Sequence, residues 1–345
     1  MCRVDISLCL SSSNYIKCKM INNKIGIVVI GRNEGQRLVA CLDSLRAYAP
    51  HIAYVDSAST DQSVQEAMSR NVHVVQLDMS LKFTAGRARN EGLSALTQCF
   101  PHLEFVQFVD GDCVVNTDWL TVASQYLQLN PTVAIVCGRR RELHPQASVY
   151  NQLCDIEWNT TLGETKACGG DALAKITVIQ KVNGFNESLI AGEEPEMCIR
   201  VRQAGYQIWR LDHDMTYHDA NIQHFSQWWK RTMRAGYAYA EGAFLYGTAP
   251  EFHWVKESRR AWFWGGLVPL VFIVLLLVCL PLAILMVALQ VLQLIKLAYK
   301  NKNLGDFSYM YVGYLMLGKS AEMVGQVKFY WNKWRNKNAQ LIEYK

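Results

Sequence analysis

Two acidic clusters carry the residue types that could do chemistry. The first ends a short apolar run, Phe105-Val106-Gln107-Phe108-Val109, in Asp110-Gly111-Asp112. Two carboxylates one residue apart at the end of a hydrophobic strand can hold a divalent cation, which in turn neutralises a diphosphate. The same residues would also make an ordinary Asp-Gly turn. The second cluster is Gly192-Glu193-Glu194-Pro195-Glu196-Met197, followed by Arg200 and Gly205, and Pro195 favours the first turn of a helix. Acids there complement the helix dipole, and they also offer a positioned carboxylate to take the proton of a hydroxyl nucleophile. Spacing alone leaves these alternatives open.

Short β-branched runs alternate with helical periodicity from Ile25 onward, which predicts βαβ units and a mainly parallel sheet flanked by helices. The strands are Ile25 to Ile30, Ile52 to Val55, Val72 to Leu77 and Phe105 to Val109. Leu38, Leu42 and Leu45 share one helix face, and Ala88 to Leu96 form another helix. Ligands of open parallel sheets lie beyond the carboxyl ends of the strands. That places Arg32-Asn33-Glu34, Asp56, Asp78 and Asp110-Gly111-Asp112 on the binding edge. No G-x-G-x-x-G follows the first strand and no Walker lysine loop occurs, which argues against nicotinamide and P-loop enzymes.

The chain has 345 residues and a formal net charge of +5, with most of the basic excess after about residue 225. That asymmetry favours a membrane surface over nucleic acid as partner. No charged residue lies between Arg260 and Lys296, and Leu267 to Leu289 is almost wholly apolar. About 20 apolar residues suffice to cross a bilayer. A helix from Trp262 to Leu294 would be about 50 Å long, so Pro281 is expected to break it into a re-entrant hairpin with arms of about 15 residues. The alternative is one tilted span, with Phe307 to Val327 returning the chain. That later stretch carries Lys319 and Glu322 and reads as an amphipathic or bundle-facing helix. Basic residues flank the apolar segment on both sides, which suits two cytosolic flanks. The eleven cysteines have no Cys-x-x-Cys pair and read as reduced, mostly buried thiols. Residues 1–23 read as a disordered extension without secretory character, and Met20 is an alternative start.

The run Ile27-Val28-Val29-Ile30-Gly31-Arg32-Asn33-Glu34, then Val55-Asp56-Ser57-Ala58-Ser59-Thr60-Asp61, resembles the opening of family-two glycosyltransferases. Gly86-Arg87-Ala88-Arg89-Asn90-Glu91-Gly92, the Asp-Gly-Asp, Gly169-Gly170-Asp171 and the Glu-Glu helix are similar to that family's later blocks, in family order. The resemblance covers about residues 25 to 245.

It implies the GT-A nucleotide-binding fold for a catalytic domain over residues 24–247, and the apolar segment at about 262–295 with the amphipathic one at about 304–330 makes 248–345 a membrane-associated helical region. The resemblance implies that Asn33, Glu34, Asp56, Arg89, Asp110, Gly170 and Asp171 bind the donor, Asp56 at the base and Arg89 near the nucleotide. Asp110 and Asp112 would form the site for Mn2+ or Mg2+ and the diphosphate, with His218 as third ligand where some relatives place one; His213 is the competitor. Glu194 stands where the family usually has the Asp of a Glu-Asp pair and would be the general base. The donor would be a nucleotide-diphosphate sugar, UDP favoured, and the acceptor a hydroxyl of a lipid-linked saccharide or other glycan in cell-surface polysaccharide assembly. The site would face the cytosol at the inner membrane. Gln-x-x-Arg-Trp, the processive synthase block, is absent, although Gln227-Trp228-Trp229-Lys230-Arg231 sits in a comparable place, so single-sugar transfer is expected. The alternatives are a polyprenyl-phosphate acceptor, or an inactive donor-binding scaffold.

Overall fold

The computed structural model describes residues 23–48, 51–336 and 342. The expected N-terminal extension lies, but for its last residue, outside them. The described chain divides into two compact units: residues through Leu189 with Glu193–Asn221, and Ile190–Gly192 with the chain from Ile222 on.

The first unit is built on one sheet. Strand β1 (Ile25–Gly31) runs parallel between β2 (Ile52–Asp56) and β4 (Phe105–Asp110), and β3 (His73–Gln76) lies outside β2. Ile25, Ile27, Val28 and Val29 are wholly buried, as expected of a strand covered on both faces. The helices α1 (Gln36–Ser44), α2 (Ser63–Ser69) and α3 (Ala85–Cys99) connect these strands. Thr84 caps α3 by accepting the Arg87 N–H at 3.2 Å. Gly31 stands opposite Asp56 and Ile30 opposite Asp110, so the loops after β1, β2 and β4 leave from one edge.

Beyond β4 the sheet is mixed rather than mainly parallel. After β5 (Cys113–Val115), α4 (Trp119–Leu129), β6 (Val133–Glu142), α5 (Val149–Trp158) and the two-residue β7 (Gly163–Glu164), strand β8 (Ala172–Lys175) enters antiparallel between β4 and β6. After α6 (Ile176–Lys181) and α7 (Glu193–Gln203), β9 (Gln207–His218) runs parallel to β6 and antiparallel to β5 and β7. The βαβ rhythm of the first strands is not repeated here, and the antiparallel pairs follow from that change. Trp119 is wholly buried and donates from Nε1 to Gln107 Oε1 at 2.9 Å, satisfying both polar groups in the core.

The second unit is helical. It holds α8 (Phe225–Tyr246), α9 (Val255–Trp262), a π-turn at Phe263–Leu267, α10 (Val268–Val278), α11 (Leu280–Lys300) and α12 (Phe307–Trp334). The boundary expected at residue 247 would group α8 with the sheet domain; by contacts α8 packs along α12. Gly236 meets the Glu322 backbone and Gly325 meets that of Met233, leaving no room for a Cβ at either. Tyr237 and Phe329 close the contact edge to face at 5.3 Å. Along α12, Lys319 and Glu322 pair at 2.8 Å, and Gln326 accepts from Ser258 at 2.7 Å.

The apolar stretch breaks at Cys279, whose φ of −153° and ψ of 84° leave the helical region, and Pro281 opens the next helix. Its arms are longer than the 15 residues expected. The first runs as one helix of 24 residues from Val255 to Val278, with an 18-residue stretch of mean hydropathy 2.4, because the helix begins upstream of the apolar run. The second, Leu280–Lys300, has 21 residues, with an 18-residue stretch of mean hydropathy 2.1. Both are long and apolar enough to cross a bilayer, and both leave most of their apolar surface uncovered.

Candidate active site

The loops after β1 and β2 hold each other. Asn33, at φ 55°, donates its N–H to Ser59 Oγ at 2.9 Å and accepts the Thr60 N–H on Oδ1 at 2.7 Å. Asp56 is buried, accepting from the Tyr54 hydroxyl and the Ser59 N–H, both at 2.9 Å. Burial, with Asp56 beside it, pushes the Tyr54 phenol up, so Tyr54 stays a donor. Glu34 pairs with Arg37 at 2.7 Å. These contacts stiffen the rim beside β1 and β2.

At the end of β4 the acids and arginines interlock. Arg89, reaching from α3, donates to Asp110 Oδ1 and to Glu193 Oε1, each at 2.8 Å. Burial works against its charge, but Asp110 and Glu193 hold its pKa above that of a free arginine. Arg140 reaches Asp171 at 2.7 Å and stands 3.8 Å from Asp110 Oδ2. Asp171 has no exposed surface; it accepts from Asp110 N at 3.2 Å and Thr216 Oγ1 at 2.9 Å. Burial pushes its carboxyl up while Arg140 pulls it back. Asp171 is thus held against the end of β4. Gly170 has φ 95°, and a Cβ there would stand 3.4 Å from Arg140 Nη2 and 3.5 Å from Arg89 Nη2. A glycine suits both the backbone and the two guanidiniums.

Asp110 and Asp112 part company. Strand β5 pairs with β9 so that Cys113 stands opposite His218, and the Asp219 N–H donates to the Asp112 carbonyl at 3.1 Å. The ladder thereby sets His218 Nε2 3.2 Å from Asp112 Oδ1. The Trp158 ring meets His218 edge-on at 4.8 Å and carries the Arg140 guanidinium at 5.6 Å. Ligand atoms of Asp112, Cys113 and His218 lie within 4.8 Å of one another. The carboxylate suits Mn2+ or Mg2+, and the imidazole beside it favours Mn2+ of the two. Burial pushes the Cys113 thiol far up. Asp110, Asp112, Asp171 and Glu193 outnumber Arg89 and Arg140 by two, and a divalent cation fits that imbalance. His213 lies instead beside Trp119, ring centroids 6.3 Å apart.

The two glutamates at the start of α7 face different partners. Glu193 serves the Arg89 guanidinium. Glu194 takes all its hydrogen bonds on one oxygen, Oε1: the Cys168 N–H at 2.6 Å, the Cys168 thiol at 3.0 Å and the Cys198 thiol at 2.9 Å. Its Oε2 accepts none among the described residues. Cys168 adjoins Gly169-Gly170, so Glu194 is held against the loop that borders Asp110.

Arg140, Trp158, Thr216 and the two cysteines are not singled out by sequence alone. Arg140 had a signal: in the strand run Arg139-Arg140-Arg141, alternation sends Arg139 to Asp212 and Arg141 to Asp155 while Arg140 turns to Asp171.

Residues 26–164 match the family described as Glycosyl transferase family 2. The O-antigen chain rhamnosyltransferase RfbN of Salmonella typhimurium is 24% identical over 205 residues, 54% of this chain and 63% of RfbN. The pre-mycofactocin glycosyltransferase of Mycobacterium tuberculosis is 23% identical over 200 residues, 53% of this chain and 40% of its own. The matches thus span less than two thirds of those relatives. Among solved structures, the mannosyltransferase PcManGT of Pyrobaculum calidifontis, in complex with GDP-Man and Mn2+, superposes with a TM-score of 0.62 at 18% identity, covering 90% of this chain and 88% of that one. The likeness establishes a GT-A-like fold.

Proposed function

We propose, from the premise that residues 26–164 of this chain form a family 2 glycosyltransferase domain, that the protein transfers a sugar from a nucleotide-diphosphate donor to a hydroxyl acceptor with inversion. The observation that carries the reading is the convergence, at one sheet edge, of Asp110, Arg89, Arg140 and the Asp112–His218 pair with a glutamate whose second oxygen accepts no bond among the described residues.

Asp112 and His218 would hold a divalent cation, and its charge would offset the departing nucleotide diphosphate. RfbN, whose name assigns it to O-antigen chains, and PcManGT, whose structure holds GDP-Man and Mn2+, support this donor class and cation. Arg89 locks Asp110 and Glu193 in place. Glu194, anchored through Oε1, takes the acceptor proton on Oε2 as the hydroxyl attacks the anomeric carbon, and no covalent enzyme intermediate forms. Glu193 is the weaker candidate because its carboxylate already serves a guanidinium.

The two uncovered apolar helices favour a lipid-linked saccharide acceptor at the cytosolic face of the inner membrane, in cell-surface polysaccharide assembly. Assay of nucleoside-diphosphate release from a panel of UDP-, GDP- and dTDP-sugars, with lipid extract as acceptor source and Mn2+ present, tests the reading. One donor, first among them a UDP-sugar, should turn over only when extract is added. Silence across the panel would leave a donor-binding scaffold.

A further inference from the structure

Glu194 lies in an environment that its role as a base does not require. Cys168 and Cys198, both buried, bring their thiols to 3.0 and 2.9 Å from its Oε1 and stand 3.8 Å apart. Glu194 and Cys198 are four residues apart on α7 and so share a helix face, while Cys168 approaches from the loop before β8. Two sulfurs each about 2.3 Å from a tetrahedral zinc ion stand about 3.8 Å apart, which is the separation found here. A carboxylate oxygen at about 2.0 Å from the same ion lies about 3.5 Å from each sulfur, so Oε1 needs to withdraw by only about half an ångström.

Charge supports the same site. Arg210 is buried, and its Nη2 approaches the Cys168 carbonyl at 3.4 Å and that of Ala167 at 3.3 Å, while its Nη1 donates to the Gly138 carbonyl. With one Zn2+, two thiolates, Glu194 and Arg210 the cluster is neutral, as it is with both thiols protonated and no ion. Binding therefore adds no net charge to a buried place, and the exposed Gly169 beside Cys168 offers the approach.

We propose that Cys168, Cys198 and Glu194 form a second cation site, specific for a thiophilic divalent ion such as zinc, whose occupancy inhibits the enzyme. Each thiol releases its proton to solvent as its sulfur–metal bond forms, and no electron is transferred. The fourth position of the tetrahedron is left to water. The site is distinct from the Asp112–His218 pair, which offers harder donors. Zinc on Oε1 draws charge from the Glu194 carboxylate and so lowers the basicity of Oε2, which takes the base out of service; this consequence, though not the binding itself, rests on the role proposed for Glu194.

The test titrates the full-length protein in detergent with Co2+ as a spectroscopic stand-in for zinc, Mn2+ being present to fill the harder site. Wild type should show a thiolate-to-cobalt charge-transfer band that one equivalent of Zn2+ removes. C168S and C198S, read singly and together because both positions are buried, should each weaken the band's apparent affinity at least tenfold, while C113S should retain it. Absence of the band in wild type, or its persistence in the double variant, would overturn the site. In parallel, Zn2+ should inhibit Mn2+-supported turnover of wild type at least tenfold more strongly than that of C168S. Equal inhibition of both would overturn the inhibitory role. An E194Q variant that turns over normally would defeat the base assignment, whereas the metal site itself stands or falls on the cobalt band alone.

Discussion

His218 Nε2 stands 3.2 Å from Asp112 Oδ1 because β5 and β9 are paired in a register that sets Cys113 opposite His218. A strand pairing, rather than the Asp-Gly-Asp spacing, brings the two groups together. His218→Ala should therefore keep the fold and raise the Mn2+ concentration for half-maximal activity at least about tenfold, and Asp112→Ala should abolish turnover at any Mn2+ concentration. Metal titrations of activity check both, with the strand pairing monitored by circular dichroism. Unchanged turnover in excess chelator would contradict the cation requirement.

Arg89 is the only cation within hydrogen-bond reach of Glu193 among the described residues, and it bridges that residue to Asp110. Arg89→Met removes the positive member of a buried network and leaves carboxylates facing one another. The expected loss is about 3–5 kcal/mol of folding stability, read from denaturant unfolding of the detergent-solubilised chain. Arg89→Lys should recover part of that loss without restoring the two-pronged contact.

Gly170→Ala places a methyl group 3.4 and 3.5 Å from two guanidinium nitrogens on a backbone of φ 95°. The strain should cost about 1–3 kcal/mol and lower donor affinity, because Arg89 and Arg140 must both shift. Gly169→Ala shares the positive φ but meets nothing within 4 Å, so it should cost stability with a smaller effect on donor binding. Comparing the two by calorimetry separates backbone strain from the arginine contact.

The helices Val255–Val278 and Leu280–Lys300 should keep the protein in the membrane fraction after a high-salt wash. With basic residues at both ends of the pair, Asn301→Cys should be shielded from an impermeant thiol reagent in sealed, right-side-out cells and become reactive on permeabilisation. Labelling from outside would contradict the hairpin.

Strands β1, β2 and β4 were readable because both their faces are buried, which writes them as continuous apolar runs ending in polar residues, while β3, half-buried at Val74 and Val75, was readable from its β-branched pair. The Asp-Gly-Asp and Glu-Glu clusters were readable because their members are neighbours in sequence. The remainder depends on pairing between distant segments. Arg140 is one of three consecutive arginines until strand alternation separates it from the others, and Asp171 reads as a loop acid until β8 carries it beneath Asp110. Cys168 and Cys198 are 30 residues apart with no metal-ligand spacing, and only the approach of the loop to α7 brings them to Glu194. The length of the apolar arms was missed for another reason: the helix of the first arm starts within the charged stretch that marks the edge of the hydrophobic run.

The most direct test of the account is a comparison of wild type, Glu194→Gln and Glu193→Gln in donor binding and in single-turnover transfer. Glutamine retains the oxygen that accepts the Cys168 N–H and removes the proton acceptor. The account predicts that Glu194→Gln binds donor within about twofold of wild type while its transfer rate falls by about 10²–10⁴. For Glu193→Gln it predicts a loss shared between donor binding and rate, through the disturbed Arg89. Transfer by Glu194→Gln at the wild-type rate, with Glu193→Gln silent, would contradict the account.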